Sequence, residues 1–508
     1  MRIIAVVSIL STLLFACTKQ DLTNTEISQK STRFSQESSH FQEIGMVDIG
    51  TAGAAEISAY DEVTKKLFVV NNAGGLNRIE VVDLSMPSAP KVIGNINIAK
   101  YGGFINSVAV NNGKLAAAIE ASNKQQNGKV VIFSTDNYAE IAVVAVGALP
   151  DMVCFSPDGK FILTADEGEP SNDYKVDPIG TVSIISVDEG YTVRKLDFAK
   201  FASRADELKE KGLRIYGPGA SFAQDIEPEY VAVAANSKKA WVSLQENNAI
   251  ARIDLNKMEI EELLPLGFKN YNEPFNSIDP SDQDGGFFFN PWPVYGIYEP
   301  DALAVIPVNN VPFIYSANEG DARDYSGFAE MARVSSSSIK LDPTAFPDGV
   351  TLKQNSKLGR LNVTKALGDT DGDGDYDKLY SIGGRSFSIW NGLTGQQVFD
   401  SKDDLDRRCV ELGIYPDNRS DDKGSEPEGV VIGRVGNRNL LFVGLERTDA
   451  VFIYDVTNPV QPVYLQHLLT GDAPEGIHFV SAEKSPTGRS LLIVSSEDDG
   501  VVKVYSRL

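Results

Sequence analysis

The chain has 508 residues, 42% hydrophobic and 23% charged, which is the composition of a globular protein and excludes a mainly disordered one. Its 70 acidic residues outweigh 47 basic ones, giving a formal net charge of −23. That balance argues against a nucleic-acid partner, which needs clustered Lys and Arg, and is compatible with cation binding or with an acidic, soluble surface.

In chain order, Met1-Arg2 precedes the apolar run IIAVVSILSTLLFA, which ends at Cys17. The run is too short for a comfortable permanent span and has a basic start and a small residue before the cysteine. LFAC resembles a bacterial lipobox. The expected processing is removal of residues 1–16 as a signal peptide, lipidation of Cys17 and export; an ordinary signal peptide is the plainer alternative. Residues 17–40, rich in Ser, Thr, Gln and Asn, read as a flexible tether. The membrane is then a partner through lipidated Cys17 alone. The expected location is extracytoplasmic, anchored to a bacterial outer membrane on its periplasmic or outer face.

From residue 41 to 508 the chain alternates short β-branched and aromatic runs with Gly, Asn, Asp and Pro, the pattern of an all-β domain. FQEIGMVDIG (41–50) precedes the first repeat and reads as the outer strand of the last one. Units follow that contain residues 55–84, 105–135, 150–187, 228–255, 300–321 resumed at 386–401, 427–456 and 474–507. Each reads strand, turn, strand, polar loop, strand and a weaker fourth strand. Seven such units predict a seven-bladed β-propeller closed across its termini. Two stretches, about 256–300 and 321–385, do not fit and are read as insertions, the first aromatic and acidic. The clearest helical stretch is ASRADELKEKG (202–212).

Carboxylates recur at fixed places in the repeat, as in SEPEGVVIG, IEPEYVAVA, YEPDALAVI and DAPEGIHFV. The first strand of a blade lines the central channel. At its start stand Glu56, Asn106, Asp151, Glu229, Asp301, Glu428 and Glu475. At the end of the second strand stand Asn72, Glu120, Glu167, Glu246, Glu319, Glu446 and Glu497. Antiparallel pairing brings both sets to one channel mouth. Glu227, Glu299 and Glu426 lie two residues earlier, on the same side of an extended chain. So many acids together require either protons or cations. All-oxygen donors suit calcium, or magnesium, with Glu167, Glu169, Glu229, Glu319, Asp321, Glu428 and Glu475 as the leading ligands. Hydrogen bonding of these acids to neighbouring blades is the competing role.

DTDGDGDYD (369–377) offers a second calcium loop through Asp369, Asp371, Asp373 and Asp377, with the Asp375 carbonyl. Tyr380 stands where an EF-hand has its bidentate glutamate, so a ligand from elsewhere is expected. Basic groups near these acids are Arg323, Arg385 and Arg447, candidates for holding a phosphate or carboxylate, or for neutralising the acid ring. His40, His467 and His478 are too scattered for a zinc site, and Cys154 and Cys409 make at most one disulfide.

LPDMVCFSPDGKFILTADEGEPSNDY, EPEYVAVAANSKKAWVSLQENNAI, YSANEGDARDYSGFAEMAR and GDTDGDGDYDKLYSIGGRSFSIWN resemble the choice-of-anchor I family, as do EPEGVVIG and APEGIHFVSAEKSPTGRSLLIVSSE. The resemblance spans roughly residues 41–508. It implies a propeller related to mesenchyme-specific cell-surface glycoproteins and to atypical alkaline phosphatases. Two functions remain open. One is a calcium-dependent phosphoester hydrolase using metal-bound water, with the arginines on the phosphoryl oxygens. The other is a calcium-stabilised surface module that binds a glycan or protein without chemistry.

Overall fold

The computed structural model describes residues 40–508; Cys17 and the expected signal peptide and tether lie outside them, apart from His40. Seven four-stranded antiparallel sheets make up the body. Their first strands are Ala54–Asp61, Ile105–Asn111, Pro150–Phe155, Pro228–Val233, Leu303–Val308, Pro427–Val435 and Pro474–Val480. Each first strand packs on that of the next sheet, and the seventh packs on the first, so the ring closes. The sheets are the blades of a β-propeller, numbered 1 to 7 here in that order.

Closure crosses the termini as the sequence predicts. Phe41–Asp48 pairs antiparallel with Val501–Arg507 as the outer strand of blade 7. Phe41 is buried, and its ring meets Phe442 of blade 6 edge-on at 5.3 Å. Second strands are covered on both faces by neighbouring blades. That is why KLFVVN (66–71) and LLIVSS (491–496) run apolar or small without alternation. The seam of blades 4 and 5 shows the packing: Trp241 and Trp390 are both 1% exposed, and Trp241 Nε1 donates to the Gly392 carbonyl at 2.9 Å. Burying one such apolar side chain contributes about 1.5–3 kcal/mol.

One boundary needs correction. The first insertion does not begin at 256, because Glu259–Pro265 is the fourth strand of blade 4, paired to Ala249–Asp254. Its sequence EIEELLP is acidic because an outer strand faces solvent; Glu261 takes Lys239 and Arg252 from the same sheet. The second insertion ends as expected, with Ser386–Asn391 resuming blade 5. The two insertions form one subdomain. Phe268–Asn270 pairs antiparallel with Tyr295–Ile297, which runs parallel to Tyr380–Ser381. Tyr271 and Val294 from the first insertion share a core with Val334, Leu358 and Leu379 from the second.

Helices are few. Ala205–Glu210 lies inside the expected helical stretch, after a 3-10 segment at Ala199–Arg204. A helix at Asp404–Leu412, which the sequence reading does not single out, buries Leu405 and Cys409 and stops at Gly413, whose φ of +73° terminates it in the left-handed conformation. No helix among the described residues is long and apolar enough to cross a membrane.

Candidate metal centre at the channel mouth

The acidic ring is aimed by backbone irregularity. Pairing between first and second strands skips Asn106, Asp151 and Glu475, which bulge out of register, and is interrupted again across Glu56, Glu229 and Glu428. A bulge turns a side chain off the sheet face. Here it turns each one toward the axis. Just before several of them a non-glycine residue sits at positive φ: Leu149, Glu299, Glu426 and Ala473, each two residues ahead of its ring member. Inner strands of all seven blades, with Glu56, Asp151, Asp301 and Glu475 at one end, line a channel cavity of about 380 Å³.

The two acids of each EPE or EPD motif have different tasks. Glu227, Glu299 and Glu426, the earlier acids, are fully buried and neutralised. Glu227 meets Arg323, whose Nη2 stands 3.0 Å from Oε2. Glu299 pairs with Arg214, which also holds Glu330. Glu426 accepts from Arg419 Nε at 2.7 Å, with Lys423 and Arg447 at 3.3 Å. The later acids, Glu229, Asp301 and Glu428, turn to the mouth. The sequence reading placed both on one side; the structure separates a structural ion pair from a channel-facing carboxylate.

The channel-facing acids gather in groups of three. One oxygen each from Asp151, Glu167 and Glu229 lie within 4.8 Å of one another, as do those of Asp301, Glu319 and Glu428. Two of the ion-paired acids also come close to mouth acids: Glu227 makes a fully buried group with Glu167 and Glu246, and Glu426 a less buried one with Glu319 and Glu446. Burial and mutual repulsion raise the proton affinity of several of them. Burial and the Glu169 carboxylate push Asp151 up to about 6. Glu246 rises to about 7 through burial and Asp321, and Glu446 to about 7 through burial and Glu319. Glu167, Glu229, Asp301, Glu428 and Glu475 are all driven well above the carboxylate range, first by burial and then by neighbouring acids. Glu246 Oε2, Glu428 Oε2 and Glu475 Oε2 have no hydrogen-bond partner although buried. The donors are all carboxylate oxygens, so the set fits a hard cation such as calcium.

Of the other predicted ligands, Glu169 is ion-paired to Lys124, and Asp321 accepts from the Ala322 amide at 2.8 Å beside Glu319. The three arginines divide. Arg323 is enclosed by Asp225, Glu227 and the Asp225 carbonyl. Arg385 is turned away from the ring, donating to the carbonyls of Asp279, Ser420 and Asp422. Both take the neutralising or structural role, since burial at 2% exposure leaves neither guanidinium a free face. Arg447 alone of the three stays accessible, its side chain 37% exposed and Nη2 2.8 Å from Glu446 Oε1. The sequence reading missed Lys423, whose Nζ stands 2.6 Å from Glu319 Oε1, and Lys124. Their only signal is that they are lysines in polar loops beside ring segments.

In the 369–377 loop, Asp369 caps the amides of Gly372 and Gly374, Asp371 that of Asp373, and Asp377 that of Thr370. The carboxylates that converge are Asp375 and Asp377 with Asp342, supplied from another part of the insertion. Cys154 lines the channel and Cys409 lies in the core; both are free thiols, and burial pushes Cys154 up to about 12. His478 also lines the channel, while His467 meets Tyr464.

The family model for the choice-of-anchor I domain matches residues 56–459. The chain belongs to the choice-of-anchor I family. This choice-of-anchor I chain is 28% identical to Gigasin-3a of Magallana gigas over 189 residues, covering 30% of the chain and 66% of that protein. It is 24% identical to the mesenchyme-specific cell surface glycoprotein of Strongylocentrotus purpuratus over 337 residues, covering 56% of the chain and 43% of that protein. It thus spans less than two-thirds of either relative. Among solved structures, hydrazine synthase of Kuenenia stuttgartiensis aligns with TM-score 0.48 at 14% identity, over 90% of this chain and 96% of that one. The Cps50 (Swd1) β-propeller domain of Myceliophteria thermophila aligns with TM-score 0.47 at 8% identity, over 92% and 99%.

Proposed function

We propose that the protein is an extracytoplasmic, cell-surface propeller that holds calcium at its channel mouth and presents it to an anionic ligand. The observation that carries this reading is the convergence of Asp151, Glu167 and Glu229, and of Asp301, Glu319 and Glu428, in each case two acids of one blade with one of the next. A divalent cation relieves the repulsion that protons otherwise relieve. Magnesium suits the same oxygens less well, because it demands tighter octahedral geometry. The name of the sea-urchin relative supports a surface location, and Cys17 supplies the anchor to an outer membrane. The ligand is a surface glycan or protein carrying carboxylate, sulfate or phosphate groups.

Phosphoester hydrolysis is the second reading, and Arg447 favours it. Its partly exposed guanidinium stands beside Glu446 and Glu426, where it would hold non-bridging oxygens while a cation on the neighbouring acids polarises the phosphoryl group.

Calcium titration of the chain lacking residues 1–17, followed by calorimetry, tests the first reading. Glu167→Gln with Glu229→Gln is expected to remove at least one bound calcium; unchanged stoichiometry overturns the mouth as a metal centre. Assay against aryl phosphate mono- and diesters tests the second. Calcium-dependent turnover lowered at least tenfold in Arg447→Met supports hydrolysis, and absence of turnover leaves the binding reading.

A further inference from the structure

Asp279, in the first insertion, is fully buried, and neither of its carboxylate oxygens has a hydrogen-bond partner. The Ser281 amide is near enough to draw on the carboxylate but does not meet hydrogen-bond geometry. Two bare oxygens on a buried acid are rare, because each costs about 1–3 kcal/mol when unpaired. Other orphans occur in the same corner, where Asp417 and Tyr415 interact electrostatically with Asp279. Asp417 Oδ1, Tyr415 Oη and Ser420 Oγ are likewise buried without partners. The charges acting on Asp279 are the Asp284 and Asp417 carboxylates, which repel it, and Arg385, which attracts it. Arg385 is already engaged: Nη1 donates to the Asp279 carbonyl at 3.0 Å and Nη2 to the carbonyls of Ser420 and Asp422 at 2.8 and 2.9 Å. Its Nε has no partner, and Asp406 stands 4.0 Å from Nη1. The rings of Phe287 and Phe289 pack on Tyr415 with centroids 5.4 and 5.5 Å away.

We infer that Asp279, Asp284 and Asp417 form a second hard-cation site, apart from the channel mouth, that takes calcium. Three carboxylates and a phenol supply oxygen donors only, the chemistry calcium selects. Asp279 and Asp284 belong to DPSDQDGG in the inserted subdomain, whereas Asp417 opens the 3-10 turn Asp417–Arg419 that leads into blade 6. A cation there staples the insertion to that turn. Arg419, in the same turn, holds Glu426, two residues before channel-facing Glu428. The staple therefore fixes the segment that carries a mouth carboxylate.

The test uses the chain from residue 18 onward. Crystals soaked in terbium are examined for anomalous density, and calcium stoichiometry is measured for wild type, Asp284→Asn with Asp417→Asn, and Glu167→Gln with Glu229→Gln. Asp284 and Asp417 are only half-buried, so their replacement is compatible with folding; Asp279→Asn is a third variant. The expected result is a terbium peak among Asp279, Asp284 and Asp417. The Asp284/Asp417 variant is expected to bind one calcium fewer than wild type, and the mouth variant to keep this peak. Density for water alone at Asp279, or unchanged stoichiometry in the Asp284/Asp417 variant, overturns the inference. Unchanged calcium stoichiometry in the Glu167/Glu229 variant, with this peak retained, would defeat only the mouth reading.

Discussion

Arg323 and Glu227 are locked together out of contact with solvent: Nη2 lies 3.0 Å from Oε2, with the two side chains 1% and 2% exposed. Arg323 comes from the second insertion and Glu227 from the approach to blade 4, so the pair ties the insertion to the mouth. Removing one partner leaves a buried charge uncompensated, at about 3–5 kcal/mol. Arg323→Met is expected to lower the unfolding free energy measured in urea by that amount, and Arg447→Met, with its guanidinium partly in water, to change stability by less than about 1 kcal/mol. Equal small losses in both would show that Arg323 is not structural.

Glu56 gives a pH dependence. Burial, then the Glu497 carboxylate, push it from the ordinary 4.5 up to about 8. Between those values the folded chain keeps a proton that the unfolded chain has released. Its contribution to stability is therefore lost as pH rises from about 4.5 to about 8. Glu56→Gln keeps an acceptor for Asn72 Nδ2, which now donates to Oε2 at 2.7 Å, and removes this loss. In calcium-free buffer the variant is expected to melt about 2 °C higher than wild type at pH 8 and to match it near pH 4.5. Parallel melting curves across that range would refute the assignment.

Ring closure has a steric signature at Gly476. A Cβ there would stand 2.5 Å from the Glu56 carbonyl oxygen of blade 1. Gly476→Ala must push the inner strands of blades 7 and 1 apart, and a loss of about 1–3 kcal/mol is expected by chemical denaturation. No measurable loss would mean the two blades do not meet as described.

The outer strand of blade 7 comes from the other end of the chain, so it can be supplied separately. A chain beginning at Ile49 exposes the unpaired edge of Val501–Arg507 and is expected to self-associate on a sizing column. A synthetic peptide of residues 40–50 should restore the monomer by adding the missing strand. Failure of the peptide to bind, with the shortened chain monomeric and stable, would contradict this closure.

How much of this was legible beforehand depended on distance along the chain. The blade repeat and the recurring EPE motif are local patterns, and they mark the propeller and the channel-facing acids Glu229 and Glu428. What each motif's first glutamate does is not local. Glu227 meets Arg323 across 96 residues and Glu299 meets Arg214 across 85, and no spacing rule connects them. Asp342 joins Asp375 and Asp377 only because Leu341 bridges to Tyr376. Tyr380 at the EF-hand glutamate position requires a ligand from elsewhere, and no local pattern names it. Glu259–Pro265 escaped because charge on an outer strand looks like a loop. Asp279 gave no sign at all, since burial rather than motif sets it apart.

The inserted subdomain straddles blade 5. Tyr271 and Val294 are made before the first two strands of that blade, and Val334, Leu358 and Leu379, their core partners, after them. During synthesis or export the earlier half therefore emerges with a naked apolar face and no companion until the later half arrives. Blade 5 itself waits as well, because its third strand follows the whole excursion. The core of this region cannot be completed until the later half has emerged, and this is the interval in which a holding chaperone, or premature aggregation, would act on it.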